Sequence, residues 1–205
     1  HIKANPFNGK TPVMPFLQSV SSGHGIGKSC ITAIIILYIM STRPHCKGIV
    51  TASTSSQLQT KTWAEVGKWL KKCITNHWFI YTNGKGNMKI SHIDNPQTWR
   101  CDAQTCKEEN SESFAGQHAV NSTPFYIFDE ASGIPNKIWE VAEGGMTDGE
   151  PVWYAFGNPT KNTGKFRECF RKQKHRWNNT TVDSRTVKIT NKEKLAEWVE
   201  DYGED

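Results

Sequence analysis

Long apolar runs are missing from this chain. The longest, Ile31 to Met40 with Thr32 inside it, stops well short of the roughly 20 residues a membrane-spanning helix needs, so no membrane partner is expected. No signal-peptide pattern stands at the start, and the first residue is His1 rather than Met, so the chain reads as a piece of a longer protein. Cysteine pairs of the C-x-x-C kind are missing too. The six cysteines (Cys30, Cys46, Cys73, Cys101, Cys106, Cys169) are scattered, which favours reduced thiols in a cytosolic compartment. Cys101 and Cys106 with His92 or His118 match no common zinc-ligand spacing. Asn121-Ser122-Thr123 matches a glycosylation acceptor, which means nothing without a secretory context. Nor is there a large charge excess: 25 Lys and Arg against 20 Asp and Glu leave +5 over 205 residues. That length suits one α/β domain with a small appendage.

The modest charge is unevenly spread. Lys161, Lys165, Arg167, Arg171, Lys172, Lys174 and Arg176 lie close together with only Glu168 opposing, while Glu193, Glu197, Glu200, Asp201, Glu204 and Asp205 make the tail acidic. A basic cluster of this kind suits a polyanion partner, DNA first. On charge alone it fits a solvated helix face equally well.

The most informative segment is Ser22-Gly23-His24-Gly25-Ile26-Gly27-Lys28-Ser29, followed by Cys30. An apolar stretch with Phe16, Leu17 and Val20 precedes it and reads as a strand; Cys30 to Met40 follows and reads as a buried helix. Strand, glycine turn, Lys-Ser and helix form the context in which backbone N–H groups curl around phosphate oxygens. Residues Ser22 to Cys30 are therefore the candidate nucleotide cradle, with the helix dipole adding to its field. Lys28 is placed to reach the β- and γ-phosphates, and the Ser29 hydroxyl to ligate Mg²⁺. The pattern departs from G-x-x-x-x-G-K-[ST] at its first position, where Ser22 stands and Gly23 comes one place late. Read alone, the loop also fits a glycine-rich turn before a helix.

Two further segments narrow the choice. Phe125-Tyr126-Ile127-Phe128 reads as a strand buried on both faces and ends in Asp129-Glu130. Asp129 suits the Mg²⁺ shell and Glu130 suits a general base on the attacking water. Val152 to Phe156 reads as another buried strand ending in Gly157-Asn158-Pro159-Thr160. Open α/β sheets bind ligands at such strand ends, so Asn158 is a candidate for contact with the γ-phosphate or the lytic water. A Gly-Asn-Pro turn with no role beyond the bend fits as well.

Between these lie further elements. Gly48 to Ala52 reads as a strand, Ser53 to Ser56 as a capping turn, and Trp63, Val66, Leu70, Cys73 and Ile74 as one apolar helix face. Trp78–Tyr81 and Met88–Ser91 predict a hairpin around Asn83-Gly84, Thr98–Cys101 a strand, and 107–116 a surface loop. A helix is expected from Ile134-Pro135 to Gly144-Gly145. A last one is expected to open on a Thr190/Glu193 capping box, to turn Leu195, Trp198, Val199 and Tyr202 inward, and to stop at Gly203. Strands alternating with helices predict a mainly parallel sheet flanked by helices, with a β-hairpin insertion.

Taken in order, Ser22–Ser29, Phe125–Ala131 and Gly157–Thr160 resemble the ATPase (motor) portion of the large terminase subunit of tailed double-stranded DNA bacteriophages. Further likeness lies in Lys61–Glu65, Ile138–Gly144, Arg167–Phe170, Asp183–Arg185 and Trp198–Gly203. The resemblance implies an α/β P-loop NTPase fold of the RecA/ASCE-like type and an ATP- and Mg²⁺-dependent motor translocating double-stranded DNA into the prohead. By position it implies phosphate and Mg²⁺ roles for Lys28 and Ser29, a Mg²⁺ role for Asp129, catalysis for Glu130, and coupling of hydrolysis to DNA movement for Asn158. Family members often carry Arg where this chain has His24. The resemblance further implies a portal protein, a small terminase subunit, self-association into a ring, and residence in the host cytoplasm. An arginine from a neighbouring subunit is also implied; Arg100 and the Phe114–His118 segment are the positions to test. Residues 1–170 are expected to form the ATPase domain and 171–205 to begin a linker subdomain, with the family's C-terminal nuclease domain, and hence nuclease activity, absent. A helicase or a non-catalytic nucleotide-binding module would share much of this pattern. Guanine specificity is disfavoured, because Asn191-Lys192-Glu193-Lys194 lacks the Asp that would read that base.

Overall fold

A computed structural model describes residues 7–119 and 121–202. Its frame is one eight-stranded sheet in the order β3-β4-β5-β2-β6-β7-β1-β8. β1 (Phe16–Ser22), β2 (Lys47–Thr51), β5 (Arg100–Ala103), β6 (Pro124–Phe128), β7 (Val152–Gly157) and β8 (Asn178–Val182) run parallel. β3 (Phe79–Gly84) and β4 (Asn87–His92) form an antiparallel hairpin joined to β5, the expected insertion. Its strands extend further than the sequence suggests. Asn83 and Gly84 pair with Met88 and Asn87, and the turn is Lys85-Gly86, with Gly86 left-handed at φ 74°.

Helices cover both faces, and β6 supplies both cores. Phe125 and Ile127 join a cluster with Ile36, Met40, Leu58, Trp63 and Val66; Tyr126 and Phe128 join one with Trp139, Trp153, Phe166 and Trp177. The first cluster lies beneath α1 (Lys28–Thr42) and a composite helix: α2 (Ser55–Gln57), a π-helical stretch Leu58–Trp63, and α3 (Ala64–Leu70). Thr54 caps this composite, accepting from Gln57 N at 3.3 Å. The second cluster lies beneath α4 (Asn136–Gly144) and α5 (Lys165–Phe170).

Several expectations need correction. α1 is buried along one side only: Ala33, Ile36, Leu37 and Met40 are inside, while Ile31, Ile34 and Tyr38 are 41–54% exposed. On the composite helix Trp63, Val66 and Leu70 do form the buried face, but Ile74 lies past its end and is exposed. β5 begins at Arg100, two residues later than Thr98. The 107–116 stretch holds a kinked 3₁₀ segment, Glu108–Phe114, whose Phe114 is wholly buried. The last helix, α6 (Lys192–Tyr202), is capped by Asn191, whose Oδ1 accepts from Lys194 N at 3.0 Å; Thr190 instead donates to the Ser184 and Val187 carbonyls. Trp198 is half exposed while Leu195 and Val199 are half-buried, so α6 turns the expected side inward only in part. The Gly203 stop lies outside the described residues. The sheet also runs past residue 170, where a linker is expected to begin: β8 pairs with β1 from Gln18↔Asn178 to Ser22↔Val182.

Candidate active site

All the expected site segments leave the same edge of the sheet. β1, β2, β6 and β7 are linked through parallel pairs, so their C-terminal ends, at Ser22, Thr51, Phe128 and Gly157, open on one side. Open parallel sheets bind ligands there. A cleft of about 600 Å³ lies at that edge, lined by His24, Gly25, Gly27, Lys28, Ser29 and Cys30 on one wall. Ser53, Gln57, Lys61, Thr62, Glu65 and Lys68 line it on another, with Asp129, Glu130, Asn158 and Thr160 between.

The loop geometry follows from its glycines. Gly25 (φ 72°) and Gly27 (φ 91°) are left-handed, a region side chains avoid, and Gly27 is the N-cap of α1. No side chain caps α1 and its first turn holds no acid, so its leading N–H groups are free to face an anion. The displaced glycine is not required by backbone conformation. Ser22 is still extended strand, paired with Val182, and needs no special φ. At Gly23 a Cβ would sit 2.2 Å from Ser184 Oγ, a hydroxyl that can rotate away, so glycine is not demanded there either. Ser22, Gly23 and Ile26 do not line the cleft. Ser22 and Gly23 meet Lys28 instead: its Nζ donates to the Gly23 carbonyl at 2.5 Å and lies 3.4 Å from Ser22 Oγ.

Lys28 Nζ also donates to Asn158 Oδ1 at 2.7 Å, and Asn158 Nδ2 lies 2.6 Å from His24 Nε2. Burial lowers the Lys28 pKa, and the nearby Asp129 and Glu130 oppose that shift. Asp129 is only 5% exposed. Burial raises its pKa, countered by the Thr62 hydroxyl, which donates to Oδ2 at 2.5 Å. Its Oδ1 accepts from Glu130 N at 3.0 Å. Glu130 itself is left-handed (φ 53°, ψ 43°), a conformation costing a non-glycine residue about 1 kcal/mol or more, and Ser53 Oγ donates to its Oε2 at 2.8 Å.

The structure thus brings Lys28, Ser29, Asp129, Glu130 and Asn158 to one cleft. It does not bring Arg100 or His118 there. Arg100 starts β5, at the opposite edge of the sheet, and pairs with Asp102 at 2.8 Å; His118 Nδ1 lies 3.3 Å from Asp148. Sequence reading missed Ser53 and Thr62. Ser53 follows the C-terminal end of β2, the position that singled out Asn158 on β7. Thr62 is a buried hydroxyl beside Trp63, brought inward where the helix widens to π. Among the described residues no group of three His, Cys, Asp or Glu could hold a metal by itself.

No family model matches the chain. Among curated proteins it is 31% identical over 160 residues to the probable large terminase subunit of Enterobacteria phage P7, covering 72% of this chain and 30% of that protein. The chain thus spans under a third of the curated relative it matches. Among solved structures it superposes on the large terminase ATPase domain of Thermus phage P74-26 with a TM-score of 0.65 at 16% identity, over 89% of this chain and 81% of that one. It superposes on the large terminase of a thermophilic bacteriophage in complex with ADP with a TM-score of 0.66 at 14% identity, over 96% and 46%. In sequence, then, the chain is similar to a phage large terminase subunit, and its fold is that of the terminase ATPase domains.

Proposed function

We propose that this chain is an ATP-hydrolysing motor that drives double-stranded DNA into a phage prohead. The observation carrying this reading is the meeting of Lys28, Ser29, Asp129, Glu130 and Asn158 in one cleft from three separate strand ends. The complexes of the thermophilic bacteriophage terminase with ADP and ATP-gamma-S support an adenine nucleotide as the occupant.

On this reading the α1 N-terminus and the left-handed glycines bind the phosphates, and Lys28 leaves Gly23 and Asn158 to neutralise the β- and γ-oxygens. Ser29 and Asp129 suit Mg²⁺: one hydroxyl and one carboxylate leave room for phosphate oxygens and water, which this ion retains. Bound there, Mg²⁺ would offset the negative charge of the triphosphate. Glu130 takes a proton from the attacking water, whose oxygen bonds to the γ-phosphorus as the bond to the β-γ bridging oxygen breaks. Asn158 senses the γ-position and, through the segment from Pro159 to α5, passes the change onward. The motor unit is residues 1–170 extended by β8, with the following residues leading towards a linker.

The basic segment after Asn158 is the proposed DNA contact. Lys161, Arg167, Arg171, Lys172 and Lys174 are exposed and make no ion pair among the described residues. Lys165 and Arg176 face Glu140 and Glu143 of α4 at 3.9 and 2.5 Å, tying the segment down. The same reading includes a portal protein, a small terminase subunit, ring assembly with neighbouring copies, and the host cytoplasm as the place of work; nuclease chemistry is not assigned to these residues. The deciding experiment is ATP hydrolysis by wild type and Lys28→Ala, with and without long duplex DNA. Wild type is expected to hydrolyse ATP and Lys28→Ala to lose binding and turnover; equal activity of the two overturns the reading.

A further inference from the structure

We propose that His24 is a positioning residue: as a neutral hydrogen-bond acceptor, it turns the Asn158 amide so that Oδ1 faces into the nucleotide cleft. This rests on the ATPase reading above, and goes beyond it by giving the residue at position 24 a role that a cation could not perform.

The donors fix the arrangement. A lysine ammonium has protons and no lone pair, so the atom of Asn158 lying 2.7 Å from Lys28 Nζ must be the carbonyl oxygen. The planar amide then presents Nδ2 in another direction, where it lies 2.6 Å from His24 Nε2. An amide nitrogen only donates, so Nε2 must carry the lone pair and the imidazole proton must sit on Nδ1. Donation runs one way, from Lys28 to Asn158 and from Asn158 to His24. The charged groups sharing this cleft are Lys28 from α1, Asp129 and Glu130 from the end of β6, and Lys61, Glu65 and Lys68 from the composite helix.

The consequence appears when the triphosphate draws Lys28 away. Asn158 Oδ1 then loses its donor but still faces the cleft, because His24 goes on accepting from Nδ2. It is left as a free acceptor for the attacking water. A protonated His24, or a lysine in its place, can only donate. It would claim Oδ1 for itself and turn Nδ2 inward, removing that acceptor. Position 24 should therefore act on turnover more than on binding.

Two measurements test this. On nucleotide-free protein, ¹⁵N imidazole resonances above the titration range should report the Nδ1–H tautomer for His24, and Asn158→Ala should abolish that preference. A dominant Nε2–H tautomer in wild type, or an unchanged preference in Asn158→Ala, overturns the proposal. In hydrolysis assays His24→Gln, whose Oε1 can accept, should keep kcat within about twofold of wild type. His24→Lys should lower kcat about five- to tenfold, the worth of one hydrogen bond, while lowering KM because the added cation attracts the triphosphate. A kcat for His24→Lys equal to or above wild type overturns the proposal, since position 24 would then act by charge. If wild type hydrolyses no ATP at all, it is the functional reading that fails, and the tautomer measurement still decides the positioning.

Discussion

Within β6, Phe125, Tyr126, Ile127 and Phe128 are all wholly buried, and each side chain meets apolar or aromatic partners. One residue further, Asp129 is nearly as buried, yet it carries a carboxyl whose charge burial disfavours. Glu130 then takes a left-handed backbone that side chains avoid. The interior of the strand satisfies every preference of its residues, whereas its end violates several at once. Such violations persist where neighbouring structure outweighs them, here the Thr62 and Ser53 hydroxyls and the rigid sheet behind them. The aromatic layer of Trp139, Trp153, Trp177 and Phe128 stabilises the fold, and the strand ends spend part of that stability on chemistry.

Substitutions at the two ends of this contrast should separate stability from activity. Glu130→Gln is expected to lower turnover by roughly a hundredfold or more with Tm little changed, read by phosphate release and thermal unfolding. Unchanged turnover would remove Glu130 from catalysis. Trp153→Ala, at a residue 3% exposed and ringed by Tyr126, Phe128, Trp139 and Trp177, should cost about 3–5 kcal/mol in urea unfolding. A loss below about 1 kcal/mol would mean the layer collapses around the gap.

Asp129→Asn should do the reverse of Trp153→Ala, raising the Tm of the nucleotide-free protein by a few degrees while abolishing hydrolysis. Because burial raises the Asp129 pKa above 3.8, the folded protein holds that proton more tightly than the unfolded chain does. Wild-type stability therefore falls as pH rises from 3.8 through the folded pKa, and the asparagine variant escapes that fall. The Tm gap between the two should widen with pH over this window; a gap constant from about pH 4 to 8 would contradict the burial argument. The smallest effect is expected at the surface. Replacing Arg171 and Lys172 with Gln should weaken duplex DNA binding and flatten its salt dependence by about one to two in log–log slope, with DNA-independent hydrolysis unchanged. An unaltered slope would place the DNA elsewhere.

The three site segments were readable because each combines a short apolar strand with a polar or glycine-rich end. That pattern survives without knowledge of neighbours. Ser53 and Thr62 were not readable as site residues, since their partners Glu130 and Asp129 lie 77 and 67 positions away. β8 escaped for a different reason. Asn178–Val182 is polar and lies at the sheet edge, paired only with β1, so it shows none of the apolar pattern of the inner strands. α1 misled in the opposite sense: its uniform apolarity reads as full burial, yet the side bearing Ile31, Ile34 and Tyr38 is left partly open.

What this sequence determined by itself was local. Glycines at 25 and 27 dictate a left-handed loop, Phe125–Phe128 dictates a two-sided strand, and Lys28, Ser29, Asp129 and Glu130 carry the groups for phosphate chemistry. Only the tertiary structure decided which hydroxyls hold the two carboxylates and that Asn158 stands between Lys28 and His24. Conformational preference belongs to a residue and its immediate neighbours, whereas a hydrogen bond between distant segments exists only once the parallel strands have brought their ends to one edge.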